Sequence, residues 1–289
     1  MKDYAIIADS TADLTPSQIS LYGVNVIPME FIIDGKSYIN YPDQRELSND
    51  EFYNKIKNKS SASTSQINVS KFTEYFENII NTGKDILYIC FSSAMSGTYN
   101  CACIAARDLK QKYVDSKIEI VDSLSASSGE ELLVYQAVEN KKNGLDITEN
   151  VNSILKTIKK IHGIFSVDDL NHLKRGGRIS STTAFFGTMM NIKPILKIDN
   201  KGTLKPFSKV RGRKQAIQYL FETMKENIVN PEDQIIYICH GDCLNDAQYL
   251  KDLIIKSKIN VKDIVITYVG PIIGAHTGPG VIAIFFMGD

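Results

Sequence analysis

The chain has 289 residues, 43 % hydrophobic and 23 % charged, enough to bury one large core or two modest ones. Lys and Arg number 33 and so do Asp and Glu, which argues against a dedicated nucleic-acid binder, since such proteins carry a basic excess or face. Five cysteines, an odd count with no C-x-x-C, read as free thiols of a reducing compartment rather than a disulfide framework.

The first apolar run, Tyr4–Ala8, predicts a strand and is too short for a secretory core. The longest apolar run, Val281–Met287, is strand-sized and cannot span a bilayer. A cytoplasmic protein with at most transient membrane contact is expected. After the first strand comes Asp9-Ser10-Thr11-Ala12-Asp13. Polar residues at the carboxyl end of a parallel strand are placed to meet a ligand; the same residues also make turns and helix caps. Thr15-Pro16 predicts a capped helix start, and Ser48 with Glu51 a capping box. Val24–Ile27 predicts a second strand. The run Ser60-Ser61-Ala62-Ser63-Thr64-Ser65-Gln66 reads as a loop between two helices. It could offer hydroxyl and amide donors to an anion, or be a plain polar loop.

Ile86–Phe91 predicts a strand that runs into Ser92-Ser93-Ala94-Met95-Ser96-Gly97-Thr98-Tyr99 and then a helix. Strand, small-residue turn and helix N-terminus together favour an anion, because free N–H groups and the positive end of the dipole converge there. Ordinary capping gives the same sequence. The segment is neither G-x-S-x-G nor a Walker P-loop, which argues against nucleotide binding. Ile118–Val121 follows as a strand, Asn143-Gly144 as a helix stop, and Asp146 with Glu149 as a further capping box. A boundary near Lys156–Gly163 divides the chain into 1–160 and 161–289.

Gly163–Val167 opens the second half as a strand. Two basic stretches follow, Lys174-Arg175-Gly176-Gly177-Arg178 and Lys209-Val210-Arg211-Gly212-Arg213. Arg178 and Arg211 are candidates for a phosphate or partner contact, against the ordinary reading of solvated charge. Phe185 with Met189 and Phe186 with Met190 form i,i+4 pairs on a predicted helix, a stripe suited to a core or to a pocket for a flexible tail. Ile192–Ile198 leads into Asp199-Asn200-Lys201-Gly202, a hairpin turn. Ile235–Cys239 precedes Cys239-His240-Gly241-Asp242-Cys243. Its residue types can bind metal, but no partner pair occurs at zinc spacing, so no metal is expected. Ile264–Tyr268 and Val281–Phe286 flank Gly270-Pro271 through Gly280. In this glycine-rich stretch His276 is placed to donate to a carboxylate or to serve structurally.

Apolar strands alternating with helices predict an α/β class with two domains and mainly parallel sheets.

Taken together, Asp9-Ser10-Thr11-Ala12-Asp13-Leu14, Thr64-Ser65-Gln66, Ser92-Ser93-x-x-Ser96-Gly97-Thr98-Tyr99, Val167-Asp168-Asp169-Leu170 with Gly177-Arg178-Ile179, and Gly270-Pro271 with His276 and Gly278 resemble the bacterial DegV family along essentially the whole chain. The resemblance implies a non-enzymatic carrier that holds one long-chain fatty acid between two domains, with no other cofactor. In some members the carrier serves the catalytic subunit of a fatty acid kinase, which phosphorylates the bound carboxylate. It further implies that Thr64, Ser96 and His276 hold the carboxylate, supported by Ser10, Ser65, Ser93 and Gly97, and that Arg178 and Arg211 lie near the pocket mouth. Ile67 stands where the family usually has proline. Two alternatives stay open: a serine hydrolase using Ser96, His276 and an aspartate such as Asp9, and a small-anion binder using the same helix N-terminus.

Overall fold

Residues 2–180 and 191–289 are described by this computed structural model. In chain order the strands are β1 (Tyr4–Asp9), β2 (Asn25–Ile27), β3 (Glu30–Ile33), β4 (Lys36–Ile39), β5 (Ala62–Ser65), β6 (Asp85–Cys90), β7 (Ile118–Asp122), β8 (Ile161–Ser166), β9 (Ile192–Ile198), β10 (Leu204–Arg211), β11 (Ile235–His240), β12 (Asp263–Tyr268) and β13 (Ile282–Met287). β1 and β6 are buried at every position, their apolar runs Tyr4–Ala8 and Ile86–Cys90 suiting strands covered on both faces. They pair in parallel at the centre of a sheet ordered β2-β1-β6-β7. The mixed α/β class stands as expected.

The second large sheet corrects the expectation of mainly parallel pairing. Its order is β10-β9-β8-β13-β11-β12, and only β11 with β12 is parallel. β13 runs antiparallel to both neighbours, as β8 does to β9 and β9 to β10. An unbroken apolar run reports burial on two faces, not strand direction, so IAIFFM could not reveal this. The hairpin is where the sequence predicts it: Gly202 N–H donates to Asp199 O at 2.9 Å, with φ +74° at Gly202.

A third sheet, β4-β3-β5, is antiparallel and replaces the expected hydroxyl-rich loop. β5 consists of Ala62-Ser63-Thr64-Ser65, with Thr64 opposite Phe31 and Ser65 opposite Glu30. Its strand character comes from the partner, whose Phe31 and Ile33 are buried. Helix caps form as predicted at Thr15, Ser48 and Asp146, each closing a capping box. Asn143 ends its helix, with Gly144 at φ +85° behind it.

The apolar core between the two large sheets is shared. Tyr4, Leu87 and Val121 belong to the same buried cluster as Phe165, Leu196 and Phe285. The helix Asn49–Lys57 also bridges them: Tyr53 Oη donates to Val269 O at 2.9 Å. Glycine is required opposite this tyrosine, since a Cβ on Gly241 or Gly274 would fall 2.7 Å from its hydroxyl. Among the described residues no helix is long and apolar enough to cross a membrane. Phe185, Phe186, Met189 and Met190 lie outside the described residues.

Candidate ligand-binding site

A cavity of about 330 Å³ lies between the two large sheets. Strand alternation builds its apolar wall. Val281, Ala283 and Phe285 turn one face of the strand segment to the cavity, while Ile282, Ile284 and Phe286 fill a separate core behind the sheet. Phe165 of β8 and Ile198 of β9 extend the same wall. Phe91, Met95 and Ala126 close it from the first half, where the strands of the parallel sheet end.

One end is polar, and there Thr64, Ser65, Gln66, Ser96, Arg178 and His276 meet. Thr64 sits on β5. His276 sits on the short helix Pro271–Thr277. The Thr64 hydroxyl and His276 Nε2 are 2.8 Å apart. His276 Nδ1 is buried and has no hydrogen-bond partner among the described residues. Burial, and then the charge of Arg178, pull the imidazole down to about 4, so it is neutral at pH 7. Gly176 packs against this ring: a Cβ there would lie 2.2 Å from Nδ1. Arg178 Nε donates to Met95 O at 3.1 Å and Nη1 donates to Gly176 O. The guanidinium thereby ties the turn after β6 to the end of helix Asn171–Arg175.

Ser96 precedes the helix Thr98–Lys112. Its Oγ lies 2.9 Å from Thr98 Oγ1 and accepts from Thr98 N–H at 3.2 Å. A Cβ on Gly97 would fall 2.1 Å from Gln66 Oε1, so glycine there admits the Gln66 side chain to the site. Two supporting candidates, Ser10 and Ser93, and one candidate for a phosphate or partner contact, Arg211, lie elsewhere. Ser10 Oγ accepts from Met29 N–H at 3.0 Å and acts through Met29, which does line the cavity. Ser93 donates its N–H to Asp122 Oδ1 at 3.1 Å and is not part of the wall. Arg211 is exposed at the end of edge strand β10 and is not part of it either.

Asp13, open in sequence between a ligand-facing residue and a turn residue, bonds two elements of the site. Its carboxyl accepts from Gly270 N–H at 2.9 Å and from Ser127 Oγ at 2.5 Å. Gly270 is the N-cap of the helix that carries His276, and Ser127 lines the cavity. Burial raises Asp13 to about 7. Asp9 is held inside its own loop, accepting from Thr11, Tyr88 Oη and Phe91 N–H. Among the described residues no hydrogen bond joins it to His276, and Ser96 bonds Thr98 rather than the imidazole. Cys239 lines the cavity while Cys243 Sγ donates to Val281 O. No group of three or more His, Cys, Asp or Glu is placed to hold a metal among the described residues.

Beyond the polar end lies an open basin of about 730 Å³ that shares Thr64, Arg178 and His276 with the cavity. Lys59, His172 and Arg175 line it, with Asp169 opposing them. The Thr64–His276 pair therefore stands between an apolar chamber and a more polar one in which Lys59, Arg175 and Arg178 face Asp169.

The model of the DegV family, described as an uncharacterised protein family, matches residues 3–289. DegV domain-containing protein CPE0026 of Clostridium perfringens is 45 % identical over 289 residues, covering 100 % of this chain and 99 % of that one. A DegV family protein from Ruminococcus gnavus, refined with vaccenic acid, superposes with a TM-score of 0.88 at 26 % identity, over 98 % of this chain and 99 % of its own. A Thermotoga maritima protein whose structure is described as revealing a fatty acid binding function has a TM-score of 0.85 at 30 % identity, over 100 % of both chains. A match along almost every residue, together with relatives of the same length, leads to one conclusion: this chain belongs to the DegV family.

Proposed function

We propose that this chain is a non-enzymatic carrier holding one long-chain fatty acid, with the carboxylate at Thr64, Ser96 and His276 and the tail along the apolar cavity between residues 1–160 and 161–289. The observation that carries the reading is the 2.8 Å Thr64–His276 pair at one end of an otherwise apolar chamber. A neutral imidazole can donate from Nε2 to Thr64 Oγ1, which leaves the single hydroxyl hydrogen free for a carboxylate oxygen. Arg178, held half-buried at the same end, supplies the compensating positive charge that a desolvated carboxylate needs. The tail dominates the energy. About 0.8 kcal/mol per buried methylene gives roughly 12 kcal/mol for ~15 of them, of which association and ordering take back several.

The basin beyond Thr64 supports a second part of the proposal. A carboxylate at the boundary between cavity and basin is reachable from solvent, so a partner kinase could convert it to an acyl phosphate without extracting the tail. The carrier works in the cytoplasm, delivers to fatty acid metabolism, and performs no chemistry itself. Mass spectrometry of an organic extract from freshly purified, denatured protein tests this. One fatty acid per chain is expected; an empty extract, with no fatty acid raising the unfolding midpoint, would sink it.

A further inference from the structure

Phe285 lines the apolar cavity. Its ring stands on β13 directly opposite Gly163 of β8. The helix Ser128–Lys142, from the first half of the chain, brings Gly129 to the same ring. A Cβ on Gly129 would fall 2.7 Å from Phe285, and one on Gly163 2.6 Å from it. Neither glycine has a positive φ, so what these positions require is space, for the ring at Gly163 and for both the ring and the Ser125 hydroxyl, 2.0 Å from such a Cβ, at Gly129. The phenyl group is thus pinned between two glycines and cannot swing aside as a free aliphatic side chain would.

Behind this wall lies a second chamber of about 800 Å³, lined by Leu124, Ser125, Ile161, Gly163, Ile198 and Phe207 among others. Ile198 lines both chambers, and its Cδ1 would be 3.1 Å from a Cβ on Gly163. Phe285, Gly163 and Ile198 are therefore the partition between the two. The second chamber reaches exposed residues at Lys159, Asn200 and Asp289. Ser125, 3 % exposed, lines it with a hydroxyl that has no hydrogen-bond partner among the described residues.

We propose that Phe285 is the stop that sets the greatest tail length, and that removing its ring joins the two chambers into one channel. The inference rests on the fatty-acid reading above. Tail specificity then follows from geometry. Each further methylene buried before the ring gains about fourfold in affinity. The next one meets a fixed aromatic wall, and overpacking or exposure of the chain end reverses the gain.

The test is a competition series of saturated acids of increasing even length against the wild-type chain, Phe285→Ala, Phe285→Leu and Gly163→Ala. Wild-type affinity should climb with length and then fall at a limiting acid. In Phe285→Ala the limit moves to longer acids, and the acid two carbons beyond the wild-type limit binds about fifteenfold tighter than it does to wild type. Phe285→Leu shifts the limit in the same direction and decides the matter if the alanine variant does not fold. Gly163→Ala pushes the ring into the cavity and shortens the limit. Folded Phe285 variants that bind normally at an unchanged limit overturn the stop alone. A wild-type chain that binds no acid of any length overturns the fatty-acid reading and the stop together.

Discussion

Thr64 and His276, 212 positions apart in sequence, meet at 2.8 Å. One comes from a short antiparallel sheet and the other from a seven-residue helix capped by Gly270. The pair exists only when both halves of the chain are in place.

Replacing Thr64 by Val and Ser96 by Ala removes two hydroxyl donors while keeping most of the volume. Fatty-acid affinity should fall by about 2–4 kcal/mol, because a buried charged head is left short of partners. Thr64→Ser should retain most of the affinity. Calorimetric titration checks both; wild-type affinity in the double variant would remove these hydroxyls from the head-group site.

His276 makes stability depend on acid. Its folded value of about 4 lies below the ordinary 6.5. The unfolded chain therefore takes up a proton below pH 6.5 that the folded one refuses until about pH 4, and stability is lost as pH falls through that window. In His276→Gln no such proton exists. Its unfolding midpoint should drop less than that of wild type between those two pH values, and an equal drop would contradict a buried neutral imidazole.

Asp13 acts with the opposite sign. Its folded value, about 7, lies above the ordinary 3.8. Its contribution is full below pH 3.8 and is lost as pH rises through about 7. Asp13→Asn should flatten that part of the profile, since the amide oxygen can still accept from Gly270 N–H and the amide nitrogen can donate to Ser127 Oγ. Asp13→Ala should cost about 1–3 kcal/mol by leaving both groups unpaired. Denaturant unfolding across pH separates the two variants.

Gly176→Ala isolates the position of the imidazole from its chemistry. The backbone there, at φ −72°, accepts alanine, but the new methyl would lie 2.2 Å from His276 Nδ1. The ring must shift, which disturbs the geometry of its Nε2 contact with Thr64. Ligand affinity should fall about tenfold, the worth of one ordinary hydrogen bond, with the unfolding midpoint nearly unchanged. Unaltered affinity would show that the ring has room to relax.

Much of this architecture was legible because it rests on local physics. Unbroken runs such as Tyr4–Ala8 and Val281–Phe286 became strands, and Ser48 with Glu51 and Asp146 with Glu149 became caps. β5 was hidden because Ser63, Thr64 and Ser65 show no apolar alternation; pairing with β3 makes it a strand. The antiparallel second sheet was hidden because burial carries no direction. For the polar end, residue types alone left Thr64, Ser96 and His276 open between ligand contact and ordinary capping, and family likeness singled them out. Arg178 reached that end and Arg211 did not, though the two looked alike in sequence: one follows a short helix facing the cavity, the other ends an exposed edge strand. Asp13 was missed as a positioning residue because its partner, Gly270, is remote in sequence and contributes only a backbone amide.

Tyr4 near the start of the chain and Phe285 near its end share one buried cluster, and the cavity lies inside it. The two sheets are therefore not independent folding units, and they should melt in a single cooperative step. A fatty-acid tail filling the chamber, as proposed, would complete that core and stabilise the whole chain by mass action. Loaded and empty forms would then differ in lifetime as well as in content, the empty one opening more often to proteolysis.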